Sequence, residues 1–263
     1  MVIVKIGGGA GIRLEEIVRD LAQREETFVI VHGANALRDQ VASKMGFTKE
    51  VITSVSGYSS VFSDKNAVDA ILMAYSGLRN KRLVELCLLH NINAVGLTGL
   101  DGRLVQGQRN RGIRVMENGK KMLKRDFSGK PRSINTDLLD LLISRGYTPV
   151  ITIPICDENG FAINSENDDI VCELQQALNA GTVIQLIEAK GLLADINDPD
   201  SLIPGLSHSD LARMEHNAAG RIKRKLHALN KLVQNGVRRV IICDGRIKNP
   251  VSNGLAGGGT QVE

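Results

Sequence analysis

Two glycine turns near the start of the chain are placed where an anion could be cradled. Gly7-Gly8-Gly9 follows the apolar run Val2-Ile3-Val4-Lys5-Ile6, and His32-Gly33-Ala34-Asn35 follows Phe28-Val29-Ile30-Val31. Each turn leads into a helix-like pattern. Turns without side chains let backbone N–H groups approach an anion, and a helix N-terminus adds partial positive charge. Neither turn fits G-x-x-x-x-G-K-S/T or G-x-G-x-x-G, so the P-loop and Rossmann fingerprints are absent. Taken alone, each reads as a tight connection in an α/β fold. Lys5 shifts that balance. It lies in an apolar strand directly before the glycines, where a charge is costly unless it is paired or faces a polar cleft. A second group of cations stands in Gly220-Arg221-Ile222-Lys223-Arg224-Lys225, at the start of a helix. By itself that run reads as a solvated basic face.

The elements that must position these residues alternate along the whole chain. A helix with Leu14, Ile17, Val18 and Leu21 on one face follows the first strand. Another, carrying Leu37, Val41 and Met45, follows the second. A long helical stretch is predicted over Asp64 to Leu89, and then a strand at Ala94 to Leu97. Glu117-Asn118-Gly119-Lys120 predicts a type I′ hairpin turn. Later strands are expected at Thr148 to Ile153, Thr182 to Ile187 and Arg239 to Cys243. A helix over Ala219 to Gln234 would face inward with Ile222, Leu226, Leu229 and Val233, and Gly236 would stop it. Repeated strand–turn–helix units imply an α/β fold: a three-layer αβα sandwich around a mostly parallel open sheet. Ligands in such sheets collect at the carboxyl ends of strands, where the glycine turns should lie.

Bulk properties agree. With 263 residues, 43% of them hydrophobic, one sizeable core or two lobes on a shared sheet can form. Aromatics are only 3% and tryptophan is absent, so that core must be aliphatic, as buried parallel strands require. No signal-peptide pattern is present, and no apolar run approaches the ~20 residues of a membrane span. Cys87, Cys156, Cys172 and Cys243 are scattered, with no C-x-x-C pair, which predicts buried thiols in a reducing cytoplasm and no metal site. His32, His90, His208, His216 and His227 form no constellation; His32 in its turn is expected to brace backbone. The net charge of +4 hints at acidic partners.

Several of these segments, in order, resemble the amino acid kinase family. They are Val-Lys-Ile-Gly-Gly at 4–8, Val-His-Gly at 31–33, Gly96-Leu97-Thr98-Gly99-Leu100-Asp101-Gly102, Gly146 to Ile151, Ala162-Ile163-Asn164 with Asp168, Gly191-Leu192-Leu193, and Gly257-Gly258-Gly259-Thr260. Within the family the chain is similar to acetylglutamate kinases. It is more similar still to the relatives that phosphorylate aminoadipate or glutamate attached to an amino-group carrier protein, in lysine or arginine biosynthesis; Ser76 to Val84 and Gly99 to Leu104 favour that branch.

The resemblance implies a mechanism. Lys5 and Lys225 would flank the transferring γ-phosphoryl group of ATP, and Asp168 would hold both ammonium groups. Backbone amides at Gly7, Gly8, Gly33 and Ala34 would stabilise the charge shared with the attacking carboxylate. Asn164, Ser56 and Gly57 would hold the acceptor; Gly191, Lys223 and Lys225 would contact the nucleotide. Mg²⁺ would arrive with ATP, held mainly by phosphates and water. The resemblance also implies a homodimer, with residues 1–180 as the acceptor lobe and 181–263 as the ATP lobe of one continuous sheet. Carbamate, uridylate and isopentenyl phosphate kinases are disfavoured by Asn164 four residues before Asp168. A non-catalytic sensing module on the same fold is disfavoured by the joint presence of Lys5, Asp168 and Lys225.

The sequence departs from the family pattern at three places. Val61-Phe62-Ser63-Asp64 stands where an Arg-x-Thr-Asp segment is usual, so the arginine that pairs with an acceptor carboxylate is missing. Lys65 and Arg79 are the neighbours that could replace it, and a paralogue acting on a modified carrier-bound amino acid is the alternative. Ala34 and Asn35 interrupt the second glycine turn, and Ile187-Glu188 replaces a Ser/Thr-Asp pair before the nucleotide turn. Finally, Lys120, Lys121, Lys124, Arg125, Lys130 and Arg132, preceded by Arg109, Arg111 and Arg114, gather about the predicted hairpin. Such a cluster is either solvated surface or a dock for an acidic carrier; the lack of interleaved aromatics disfavours nucleic acid.

Overall fold

The computed structural model describes residues 1–48, 50–55, 59–117, 120–195, 197–218 and 220–262. Strands β1 (Val2–Ile6) and β2 (Phe28–His32) are buried at every position, as aliphatic runs covered on both faces must be. Between them α1 (Leu14–Leu21) buries Ile17, Val18 and Leu21. In α2 (Asn35–Lys44) Leu37 and Val41 pack against the core as expected, whereas Met45 is 54% exposed because the helix ends before it. β3 (Val51–Thr53) and β4 (Ser59–Val61) form a small antiparallel pair. The long helical stretch is three consecutive segments: α3 (Lys65–Ile71), a π-helical segment Leu72–Arg79, and α4 (Asn80–Leu89). Asp64 caps its start, its side chain accepting from the Ala67 N–H at 2.8 Å.

β5 (Ala94–Gly99) is followed by β6 (Val105–Arg109), the hairpin strands β7 (Ile113–Glu117) and β8 (Lys120–Lys124), and β9 (Gly129–Ile134). The hairpin is a separate sheet with Glu117 opposite Lys120; its turn residues Asn118 and Gly119 lie outside the described residues. Then come α5 (Thr136–Ser144), β10 (Thr148–Cys156), β11 (Ala162–Ile163), α6 (Asn167–Leu178) and β12 (Thr182–Ile187). The chain closes with β13 (Gly205–Leu206), α7 (His208–Asn217), α8 (Gly220–Gln234), β14 (Arg239–Asp244), α9 (Pro250–Leu255) and β15 (Thr260–Val262). Beyond α8, Gly236 adopts φ +80° and donates to the Val233 carbonyl, the stop its sequence position implied.

The main sheet runs β13-β15-β14-β12-β1-β2-β10-β6-β9, with β5 and β11 also paired to β10. From β14 through β12, β1, β2 and β10 to β5 the pairing is parallel. One aliphatic cluster joins Val4, Ile6, Ile30 and Ile184 to residues of α1, α4 and α9. The other joins Ile3, Val29, Val31 and Val183 to residues of α6 and α8. This is the expected three-layer αβα sandwich. Alternation along β1 puts Lys5 on the Ile3 face, beneath α6 and α8. Because β1 has β2 on one side and β12 on the other, chain order reverses beside it, where open α/β sheets form their ligand crevice. The four cysteines are buried free thiols, and among the described residues no helix is long and apolar enough to cross a membrane.

Candidate active site

A cleft of about 540 Å³ opens at that reversal point, lined by both glycine turns, the end of β12 and the first turns of α6 and α8. Its floor is built where the two turns meet. A Cβ at Gly8 would fall 2.6 Å from the backbone nitrogens of Ala34 and Asn35, and one at Gly33 would fall 2.9 Å from the Gly8 nitrogen. Only glycine permits backbones this close, and the approach brings the N–H groups of Gly8, Ala34 and Asn35 together, whereas those of Gly7 and Gly33, also expected in the floor, are spent on the Leu186 and Ile6 carbonyls at 2.8 Å. His32 braces the second turn from the opposite face of the sheet. Its Nδ1 lies 3.4 Å from the Gly33 carbonyl oxygen and its Nε2 lies 3.1 Å from Asn80 Nδ2. Full burial, with the nearby Arg79 charge, pushes its pKa down to about 3, so the ring is a neutral structural group.

Above this floor Lys5 Nζ pairs with Asp168 Oδ1 at 2.9 Å, and both side chains are largely buried. Asp168 lies in the first turn of α6, where the helix dipole favours a carboxylate. Burial alone would raise its pKa; the Lys5 ammonium, by charge and hydrogen bond, with Lys225 and Arg224 beyond, holds it below the ordinary range. Lys225 reaches the same cleft from α8. Burial and the facing Lys5 charge lower its pKa, against the opposing pull of Asp168 and Glu188. The arrangement is two ammonium groups facing each other across one carboxylate, over a bed of amides. It suits a polyanion in transfer.

The Lys223 charge acts instead on Glu215 of α7, and Lys223 does not line the cleft. Two residues apart, the two lysines lie roughly half a helical turn from each other and so on opposite faces of α8. Ile222, expected in the core, is 42% exposed and lines the cleft, while Leu226 and Leu229 carry the buried stripe. Gly191 packs against Thr260 and Leu202, where a Cβ would lie 2.6 Å from each side chain; it shapes the turn away from the cleft lining. Ser56 and Gly57 lie outside the described residues.

Asn164 lines the cleft and is fixed by a network centred on buried Asp126. Asn164 Nδ2 donates to Ser63 Oγ at 2.9 Å. Asp126 accepts from the Ser63 N–H at 3.0 Å and from the Ser128 N–H and hydroxyl at 3.2 and 2.6 Å. Glu188, which looked like a loss, also has a role: its Oε1 accepts from the Gly11 N–H at 2.5 Å and its carboxylate packs against Gly9. Val61 lines the cleft without charge. Lys65 is exposed, and Arg79 turns toward His32 with Nε and Nη2 buried and without hydrogen-bond partners among the described residues. Neither candidate for the missing arginine lines the cleft. Asn35, Arg38, Tyr75 and an Arg224–Glu166 ion pair do, and sequence reasoning missed all of these. The signal available was position: Asn35 and Arg38 follow the second glycine turn within one helical turn.

Whether the cleft fits a nucleoside triphosphate can be judged from its own groups. Besides the two ammonium groups and the amide floor, Ser165 Oγ and Asn167 Oδ1 are buried there without partners among the described residues. Among those residues no cluster of three or more His, Cys, Asp or Glu is arranged to hold a metal ion.

Comparison with known proteins agrees with this geometry. The model of the amino acid kinase family matches residues 1–244. Over its full length the chain is 39% identical to a LysW-aminoadipate kinase of Deinococcus radiodurans, covering 91% of that protein. It is 37% identical to a LysW-aminoadipate kinase of Thermus thermophilus, with both chains fully covered. Among solved structures, the N-acetylglutamate synthase of Neisseria gonorrhoeae superposes with a TM-score of 0.78 at 19% identity. That match covers 99% of this chain and 58% of the longer synthase. An isopentenyl phosphate kinase superposes at 0.65 with 15% identity and full coverage of both chains. At those identities the structural matches speak to the fold alone.

Proposed function

Because the chain belongs to the amino acid kinase family, we propose that it transfers the γ-phosphoryl group of ATP to the side-chain carboxylate of an N-blocked acidic amino acid. The acceptor is aminoadipate or glutamate carried on a small acidic amino-group carrier protein, and the product is an acyl phosphate. The observation that carries this reading is the pairing of Lys5 and Asp168 opposite Lys225, above the joined turns of Gly8 and Gly33.

The chemistry follows from those groups. A carboxylate is already ionised near neutral pH, so the attacking oxygen needs no general base. The oxygen attacks phosphorus in line with the departing ADP oxygen, and the protein's task is positioning and charge stabilisation. Lys5 and Lys225 neutralise the equatorial oxygens, Asp168 keeps the ammonium groups in register, and the amides of Gly8 and Ala34 take up charge at the junction of the two reactants; the Gly7 and Gly33 amides, bonded to the Leu186 and Ile6 carbonyls, hold the turns in place. Bound Mg²⁺ would neutralise phosphate charge further. Residues 1–180 hold the acceptor and 181–263 the nucleotide, with Asn164 at the acceptor end.

The carrier reading is supported by the names of the two full-length relatives and by the β7–β8 hairpin. That hairpin stands apart from the main sheet and exposes Lys120, Lys121, Met116, Met122 and Leu123. It is tied to the strand pair that leads to Val61, since the Val55 N–H donates to the Arg114 carbonyl at 2.9 Å. Arg109 is not part of the docking face. Its Nε donates to the Asp126 carbonyl at 2.9 Å and its guanidinium sits 4.0 Å from the Phe127 ring centre.

The test is ATP-dependent acyl-phosphate formation trapped as hydroxamate by hydroxylamine, with acetylglutamate, acetylaminoadipate and carrier-linked forms of both amino acids. Hydroxamate is expected with the carrier-linked acceptor above all. No product from any acceptor would sink the kinase assignment.

A further inference from the structure

We propose that Arg38, held with Asn35 and Tyr75 beside the second glycine turn, recognises the acceptor's other carboxylate, the one that is not phosphorylated. The inference rests on the acceptor class proposed above and adds the residue that selects it. Among the described residues four cationic side chains line the cleft: Lys5, Lys225, Arg224 and Arg38. The first two serve the phosphoryl group, and Arg224 is engaged by Glu166. Arg38 is ion-paired to the neighbouring Asp39 at 2.7 Å yet keeps two N–H groups, and it is the one assigned to the acceptor. It lies in the first turn of α2, which begins directly after the amides of Gly33 and Ala34 and has no acidic residue in that turn.

Its own donors are only partly used. Arg38 Nε and Nη2 donate to Asp39 Oδ1 at 2.9 and 2.7 Å, and Nη1 donates to Asn35 Oδ1 at 3.3 Å. A guanidinium has five N–H donors, so two remain for a ligand. Asn35 Oδ1 also accepts from the Tyr75 hydroxyl at 2.5 Å. Those two donors fix the orientation of the Asn35 amide, with Oδ1 as the acceptor and the NH₂ group left to donate. Burial raises the Tyr75 hydroxyl to about 12, so it stays a proton donor to Asn35 throughout the working range. The Arg38 side chain is only 13% exposed, so its charge is poorly screened. An ordered fork of N–H groups in a partly dry cleft matches a carboxylate, and charged hydrogen bonds of this kind discriminate strongly against neutral analogues. The uncharged Val61 in the same cleft offers no competing cation.

The test compares two probes by calorimetry, in the presence of Mg²⁺ and a non-hydrolysable ATP analogue: N-acetyl-α-aminoadipate and its α-carboxamide. Wild-type protein should bind the dicarboxylate on the order of 10- to 100-fold more tightly. In R38Q that ratio should fall to near one, through loss of affinity for the dicarboxylate while carboxamide affinity is kept. R38K, which keeps the charge without the fork, should recover part of it. Because the readout is a ratio, general damage to the fold lowers both affinities and leaves the ratio alone. A wild-type protein that binds both probes equally, or R38Q with the wild-type ratio, overturns the assignment. Hydroxamate formation separates it from the kinase reading. Product with an unchanged R38Q ratio overturns this inference only, and discrimination without product supports this inference while removing the kinase assignment.

Discussion

Lys5 and Lys225 are supported in different ways, and this sets what their loss should do. Lys5 is locked by its 2.9 Å contact with Asp168. Lys225 is buried among charges of both signs, with its pKa held down chiefly by burial and by Lys5. Replacing either with alanine is expected to lower kcat on the order of 10²- to 10³-fold, as removal of an oxyanion donor does, with the fold retained; Lys5→Ala, which strips buried Asp168 of its direct partner, should also lower the melting temperature. Steady-state kinetics beside a thermal melt checks both parts. The same charges predict a pH response. Lys225 is needed as an ammonium, so activity is present below its pKa and lost as pH rises through it, at a pH below the ordinary lysine value. Asp168 pulls that pKa upward, so Asp168→Asn should move the alkaline limb of the kcat profile to still lower pH. A limb that stays in place or moves up contradicts the assignment of Lys225. Lys5 was legible in the sequence because a charge in a buried strand needs a reason. Lys225 was not separable from Lys223 by composition; only the rotation of α8 sends one to the cleft and the other toward Glu215.

Elements matter here through how closely they approach. The contact of the two glycine turns leaves no room for a methyl group, since a Cβ at Gly8 would meet the backbone nitrogens of Ala34 and Asn35 at 2.6 Å. Gly8→Ala must therefore separate the turns and spread the amide floor. The expected result is a kcat loss comparable to that of Lys5→Ala, with far-UV circular dichroism retained. Asp126 works similarly at a distance, joining the loop before α3, the loop before β9 and, through Ser63, Asn164. Asp126→Asn replaces one acceptor oxygen with a donor in a buried network, at about 1–3 kcal/mol of stability. It should raise the acceptor KM more than the ATP KM; equal changes in both would show that the network does not position Asn164. The aliphatic strands and the αβα layering were readable because burial on both faces imposes a continuous apolar run. The π-helical segment over Leu72–Arg79 was not, because a wide turn leaves no mark on a 3.6-residue pattern. That segment contains Tyr75 and ends at Arg79, so one of the cleft residues overlooked, and the discarded candidate for the missing arginine, both come from it.

At the scale of the whole molecule, one sheet joins the proposed acceptor and nucleotide sides, because β1 pairs directly with β12 from Val2↔Thr182 to Ile6↔Leu186. Lys5 on β1 and the cleft edge at Ile187, the last residue of β12, and Glu188 just beyond it thus share a rigid frame, and specificity for a large partner must come from outside it. The β7–β8 hairpin is such a part. Lys120 and Lys121 at its exposed end add to a net charge of +4, so an acidic carrier would be steered toward the face that continues to Val61. Exposed charges separated by more than a Debye length, about 10 Å at 0.1 M salt, are largely screened. Raising ionic strength should therefore reduce kcat/KM for a carrier-linked acceptor while leaving kcat with saturating carrier almost constant. The double charge reversal K120E/K121E should lower kcat/KM for the carrier-linked acceptor on the order of tenfold, mainly through slower association, and leave turnover of a free acetylated acceptor unchanged. The decisive measurement is the ratio of kcat/KM values for carrier-linked and free acceptors in wild type and K120E/K121E across a salt series. Parallel salt curves for both acceptors would mean that the hairpin is solvated surface, and the carrier would then have to be recognised through the cleft mouth alone.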